Sequence, residues 1–152
     1  SWIIDHRFAI GFGGYGFNTQ AKKDPNLGND EYSFSGGYGG MILEPIILAG
    51  KPIHVSFPIF VGLGGVNYHE RLLYNYDYNY EDLLYNTQAF FLVEPGIDIE
   101  LNVVKFFRLA LWAKYRFTSD VHMFYEVSGD RIAEKSFMQG FSTGVTFKFG
   151  KF

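Results

Sequence analysis

The chain contains no cysteine, which excludes disulfides and thiolate metal sites. It also lacks an apolar run long enough to cross a membrane as a helix. The longest, FPIFVGLGGV at residues 57–66, is about half of the roughly 20 residues required. No Lys/Arg-rich stretch occurs and the formal net charge is −3, so the basic surface that a nucleic-acid partner would need is missing. No signal peptide is recognisable, because an acidic residue, Asp5, interrupts the opening stretch, and the chain is expected to be a processed or trimmed form. Proline is scarce. Pro45, Pro58 and Pro95 nevertheless fall inside segments that read as strands, where the ladder accepts proline only at bulges, edges or strand ends.

Glycine, by contrast, reaches 18 residues, and aromatics make up 20 % of the 152, with 17 Phe and 11 Tyr. That composition favours strands and turns within one domain.

The segment at residues 89–118, AFFLVEPGIDIELNVVKFFRLALWAKYRFT, consists of two apolar stretches that alternate with period two about a short turn. It predicts a β-hairpin. Phe91, Val93, Ile97, Ile99, Leu101, Phe107, Leu109, Leu111, Tyr115 and Phe117 share one face, and Glu94, Asp98, Glu100, Arg108, Lys114 and Arg116 share the other. In a soluble sandwich the charged face would meet water. The strands are, however, about twice the usual length, and large apolar residues dominate one face while both signs of charge balance on the other. A transmembrane barrel calls for strands of about 9–11 residues with lipid-facing apolar residues alternating with polar lumen residues, and the hairpin meets both conditions. A register placing Glu100 opposite Arg108 and Glu94 opposite Lys114, with the turn at residues 102–106, pairs opposite charges twice. Asp98 and Arg116 complete the expected set of lumen ion pairs.

Earlier in the chain, RFAIGFGGYGF at residues 7–17 reads as a Gly-rich strand after a tight turn at Asp5-His6. Its glycines do not form a phosphate loop, which would need a helix immediately after them. They are expected to face a narrow interior and make room for large side chains across it. Residues 18–30 read as a solvated polar loop; Asp24, Asn26, Gly28 and Asp30 match a calcium loop poorly, without its closing bidentate Glu. A third strand covers residues 31–48, with Met41, Leu43, Pro45 and Ile47 outward if Glu44 points in. A fourth covers residues 53–68, with Val55, Phe57, Ile59, Val61 and Leu63 outward. The acidic segment at residues 69–88 is long for a connection and carries Tyr74, Tyr76, Tyr78, Tyr80 and Tyr85, a composition suited to a binding loop, although it could simply prolong the strands. Residues 119–136 read as another long polar loop. The last strand, residues 137–152, sets Phe137, Phe141, Val145, Phe147 and Phe149 against Gly140, Ser142, Gly144, Thr146 and Lys148.

Short and long connections therefore alternate along the chain: 5–6, 18–30, 49–52, 69–88, 102–106 and 119–136. Outer-membrane barrels have that asymmetry, with short periplasmic turns and long outer loops, and it places the C-terminus on the periplasmic side.

On WIIDHRFAIGFGGYGF, GGYGGMILEPII, HVSFPIFVGLGG, the central hairpin and FSTGVTFKFGKF, the sequence resembles small Bacteroidota-type outer-membrane β-barrel proteins of Gram-negative bacteria. The resemblance implies an all-β, antiparallel up-and-down transmembrane barrel of eight strands, with Phe147, Phe149 and Phe152 in an aromatic C-terminal signal read by the barrel assembly machinery. Phe152 is out of phase with the other two. Six full strands and a stub at residues 2–4 are countable, so the first strand and most of the second are expected upstream of Ser1. Outer-membrane lipid is the implied environment; no cofactor or metal is expected.

Three functional classes follow. His54 and Ser56 share a face and invite comparison with lipid-modifying barrel enzymes, yet they lie at the short-turn end, away from the outer leaflet. Eight strands leave an interior that side chains fill, which argues against a pore. A soluble lipocalin-like barrel is a further alternative. The preferred expectation is a non-enzymatic barrel, a structural anchor or accessory subunit that presents its long loops to another outer-membrane protein or a surface ligand.

Overall fold

A computed structural model describes residues 1–5, 7–27, 31–47, 51–70, 84–125 and 128–151. All of the long elements are antiparallel strands: β1 (Trp2–Ile4), β2 (Phe8–Asn18), β3 (Lys22–Lys23), β4 (Glu31–Ile47), β5 (Ile53–Ser56), β6 (Ile59–Glu70), β7 (Leu84–Val104), β8 (Phe107–Thr118) and β9 (Gly140–Phe149). They form one sheet in the order β1-β2-β4-β5-β7-β8-β9, with β3 added to β4 and β6 lying between β4 and β7. β5 and β6 are a single stave broken at Phe57-Pro58, where proline cannot donate to the ladder. Register is kept across the break, since Ile46 faces Ser56 and Leu43 faces Ile59. Backbone bonds bridge it on both sides, from the Phe57 amide to the Pro45 carbonyl at 3.0 Å and from the Gly96 amide to the Pro58 carbonyl at 2.8 Å. The turn after β1 has Asp5 at φ 48°, a conformation that Asp tolerates better than most residues, and closes with the Arg7 amide on the Ile4 carbonyl at 3.1 Å.

The sheet curls until strands far apart in its order touch. Lys148 of β9 reaches Glu44 of β4 at 3.1 Å, and the ammonium of Lys114 in β8 lies 6.0 Å from the Tyr15 ring centre in β2. No pairing joins β9 to β1 among the described residues. This curvature leaves many large apolar side chains exposed on the convex face and buries charged ones on the concave face. Phe149 on the convex face is 72 % exposed and Phe91 is 47 % exposed, whereas Glu100 and Glu94 on the concave face are 1 % and 3 % exposed. Met41, Ile47, Ile59, Leu63, Ile97, Ile99, Leu111, Phe117, Phe141 and Phe147 share the exposed face.

Close packing of the concave side explains two glycines. A methyl group at Gly144 would lie 2.5 Å from the Trp112 ring, and one at Gly64 would meet the rings or stems of Phe90 and Tyr38.

Several sequence expectations are corrected here. β7 pairs with β8 so that Glu100 faces Ala110 and Asn102 faces Arg108, two residues out of the charge-matched register. The cause is the turn: it is reduced to Lys105-Phe106, with a bulge between Asn102 and Val104, in place of a five-residue loop at 102–106. The tyrosine-rich segment is partly strand, since β6 runs to Glu70 and β7 begins at Leu84. Residues 71–83, with Tyr74, Tyr76, Tyr78 and Tyr80, lie outside the described residues, as does Phe152; Tyr85 is placed only as a backbone position in β7. The last strand starts at Gly140, and Phe137 packs against the buried core. The polar segment at 119–136 also carries apolar residues into the core. Val121, Met123 and Tyr125 turn inward with Met138, beside Tyr32, Phe60, Val66, Tyr68, Phe90 and Leu92. This segment folds on itself through the Val121 amide to Lys135 and the Ile132 amide to Met123. Its apolar side chains pack into the loop end of the concave side as a plug.

Candidate functional site

Three groups of polar side chains occupy the concave side. The first lies near the short turns. The Lys148 ammonium from β9 contacts Glu100 of β7 at 2.5 Å and Glu44 of β4 at 3.1 Å, and lies 3.6 Å from Asp98 of β7. Oxygens of these three carboxylates approach within 4.8 Å of one another, a spacing that calls for a cation, and Lys148 supplies it. Arg108 adds a second at 3.5 Å from Glu100. His54 Nε2 lies 2.9 Å from Glu100 and 3.3 Å from Arg108. The Ser56 hydroxyl donates to Glu44 at 2.6 Å and lies 3.3 Å from Glu100.

Ser56 is thus held by carboxylates, and no hydrogen bond joins it to His54 among the described residues. A nucleophilic serine needs a base on its hydroxyl, and this one is fully buried as well. The His54/Ser56 pairing does not assemble into a catalytic couple. His54 Nδ1 and Asp98 Oδ1 are buried with no hydrogen-bond partner among the described residues.

The second group sits midway. Arg116 donates from Nε to Glu94 at 2.9 Å and from Nη2 to the Tyr38 hydroxyl at 2.6 Å, with its guanidinium 4.5 Å from the Tyr38 ring centre. Glu94 therefore pairs with Arg116 and not with Lys114. The register that sets Val93 opposite Phe117 and Gly96 opposite Lys114 brings Arg116 beside Glu94. Lys114 instead lies over Trp112, 5.0 Å from its ring centre, where a cation is attracted by the ring face.

The third group was unforeseen. Asp24, between β3 and a 3-10 turn at Pro25–Leu27, is buried at the long-loop end. Its Oδ2 accepts the Tyr68 hydroxyl at 2.6 Å and the Tyr125 hydroxyl at 2.5 Å, and its Oδ1 accepts the Asn26 amide at 3.0 Å. Burial alone would raise this carboxyl, but the hydrogen bonds from Tyr125, Tyr68 and Asn26 hold it below its ordinary value. Burial and the same contact push the Tyr125 phenol up. Asp24 ties the β3 connection to β6 and to the plug. Beside it opens a cleft of about 540 Å³ whose walls include Lys22, Phe34 and Ile132.

Sequence reasoning placed Glu94, Asp98, Glu100, Arg108, Lys114 and Arg116 on one face, and the structure puts all six on the concave side. It turned Glu44 inward, set Lys148 on the small-residue face and weighed Asp24 only within a calcium-loop pattern, without assigning these three the contacts they make, and it overlooked Tyr38. Lys148 had a visible signal, being the one charged residue on the small-residue face of β9.

Comparison with known proteins adds no assignment: no family model, no curated protein and no solved structure matches the chain.

Proposed function

We propose that this chain is an integral outer-membrane β-barrel without enzymatic activity, a structural anchor or accessory subunit that displays its loop end to a partner. The observation that carries the reading is the side-chain sorting: large aliphatic and aromatic residues cover the convex face while carboxylates and their cations are buried on the concave one, beside an apolar cluster at its loop end. A convex face of this kind is matched to lipid, and exposed apolar area of that extent is a liability in water. β1 and β9 run in the same direction, so one further antiparallel strand between them closes an eight-stranded barrel. Alternating short and long connections favour a bacterial outer membrane, with the C-terminus periplasmic and the long loops outside. Such a barrel depends on outer-membrane lipid and the barrel assembly machinery, in keeping with the resemblance to small Bacteroidota-type proteins.

Ion networks, Trp112, Tyr38 and the 119–139 plug occupy the interior, which speaks against a conducting pore. Carboxylate-held Ser56 speaks against lipid hydrolysis. With the plug turned inward, the partner-facing surface in this reading is the 19–30 connection and the segment after β6.

The test is reconstitution into phospholipid vesicles. Folded protein is expected to resist extraction by carbonate, to migrate faster unboiled than boiled, and to give no steady conductance or lipid hydrolysis. A chain that is soluble and monomeric without detergent refutes membrane residence; conductance, or hydrolysis abolished by His54→Ala, replaces the anchor reading.

A further inference from the structure

We infer that the cleft beside Asp24 is a binding site for a phosphorylated sugar, with Lys22 as the anchor for the anionic group. Its volume, about 540 Å³, is within the range of small-molecule sites and well above what a bare ion needs. Its floor is rigid. Asp24 fixes the Tyr68 and Tyr125 hydroxyls, and the Tyr68 ring is stacked on Tyr32 at 5.2 Å and tilted against Phe34 at 4.7 Å.

Charge at the site is unevenly satisfied. Three donors already surround Asp24, so its negative charge does not need a lysine. In β3, Lys22 is opposite Tyr32 and Lys23 opposite Glu31; facing residues share a side of the sheet, so Lys22 is on the inner side with Tyr32. Lys22 and Lys23 both line the cleft and form no ion pair among the described residues, whereas in the interior Lys148, Arg108 and Arg116 are paired with carboxylates and Lys114 lies over the Trp112 ring. An unpaired ammonium at the mouth of a preformed cleft is suited to a phosphate or another anion. The lining also carries two half-buried apolar side chains, Phe34 and Ile132, which fit the C–H face of a sugar ring. Anion and ring face together define a sugar phosphate, free or as the headgroup of a glycolipid.

The inference stands apart from membrane residence, because the cleft is present whether or not the convex face meets lipid. Its test uses the full chain in detergent micelles, titrated with glucose 6-phosphate, glucose and inorganic phosphate by calorimetry, and separately with micelles doped with a phosphorylated diglucosamine lipid. Expected is saturable binding of at least one sugar phosphate with Kd below about 1 mM. Lys22→Gln and Ile132→Glu are each expected to weaken it at least tenfold, Lys23→Gln less than Lys22→Gln does, Lys105→Gln in the distant short turn less than threefold, and added salt to weaken it further. Binding of the glycolipid but not the soluble sugar phosphate identifies a headgroup site; the reverse identifies a soluble ligand. Glucose binding as tightly as its phosphate, inorganic phosphate binding as tightly as glucose 6-phosphate, unchanged affinity in Lys22→Gln, or no binding in either arm each overturns the inference.

Discussion

Replacing Asp24 with alanine is the sharpest probe of how the loop end is held. The substitution removes the acceptor for two phenol hydroxyls at 2.6 and 2.5 Å and for the Asn26 amide at 3.0 Å. Hydrogen bonds to a charged group are worth about 1.5–3 kcal/mol each, so the two phenols alone give about 3–6 kcal/mol. Water entering from the neighbouring cleft rehydrates part of what is lost, which favours the lower end, about 3 kcal/mol. The loss is local, because Asp24 joins the β3 connection and the plug to β6 without touching the ion networks at the other end. Amide hydrogen exchange reads it directly at Val121, Tyr125 and Ile132, whose N–H groups bond to Lys135, Asp130 and Met123 within the plug. Exchange there is expected to rise on the order of a hundredfold, with β7 and β8 unchanged. The same readout has a pH sign. Since the folded carboxyl titrates below its ordinary value of 3.8, its contribution is complete above that value and disappears as pH falls through the folded one. Plug protection is therefore expected to fail on acidification in the wild type but to be insensitive to this titration in Asp24→Ala. Exchange within threefold of wild type, or strictly additive effects of Asp24→Ala and Tyr125→Phe, refutes the lock.

Two further perturbations address the opposite end. Lys148→Met removes the ion pairs of Glu44 and Asp98 and leaves Glu100 with Arg108, and is expected to cost about 3–5 kcal/mol in guanidinium unfolding from detergent, with part regained by adding Glu44→Gln; a loss under about 1 kcal/mol denies Lys148 its role. A double-mutant cycle of Glu94→Leu with Arg116→Met is expected to show coupling of about 1–3 kcal/mol while Glu94→Leu with Lys114→Met shows none, and the opposite result restores the charge-matched register.

Parity was legible in the sequence because alternation is a local property: each strand names its own inner face residue by residue, and Glu94, Asp98 and Glu100 fall on it with Arg108 and Arg116. Register was not. Matching charges across one hairpin presumes that a buried charge is neutralised by its facing neighbour, whereas in a curled sheet the nearest cation to Glu100 is Lys148, two staves away in β9. A two-residue turn and a bulge then set the pairing for steric reasons of their own. The plug was missed because the polar residues around it set the average, although Val121, Met123 and Tyr125 recur with the same period of two as the strands. The local pattern around Asp24 suggested only a poor calcium loop, since its partners Tyr68 in β6 and Tyr125 in the plug are far away in sequence.

The two ends of the concave side are thus held by forces of different reach, and this decides which end can yield. At the short-turn end β4, β7, β8 and β9 share a set of buried charges, and withdrawing Lys148 removes the ion pairs of Glu44 and Asp98 where water is scarce. At the loop end the plug is held by apolar contacts and by one carboxylate adjoining an open cleft, so its departure exposes groups that water can satisfy. Opening is therefore expected to begin at Asp24 and to proceed toward the middle network of Glu94, Arg116 and Tyr38 before it reaches Lys148. A ligand anchored at Lys22 binds next to the first contact to break, and it stabilises the plug to the extent that it prefers the closed arrangement.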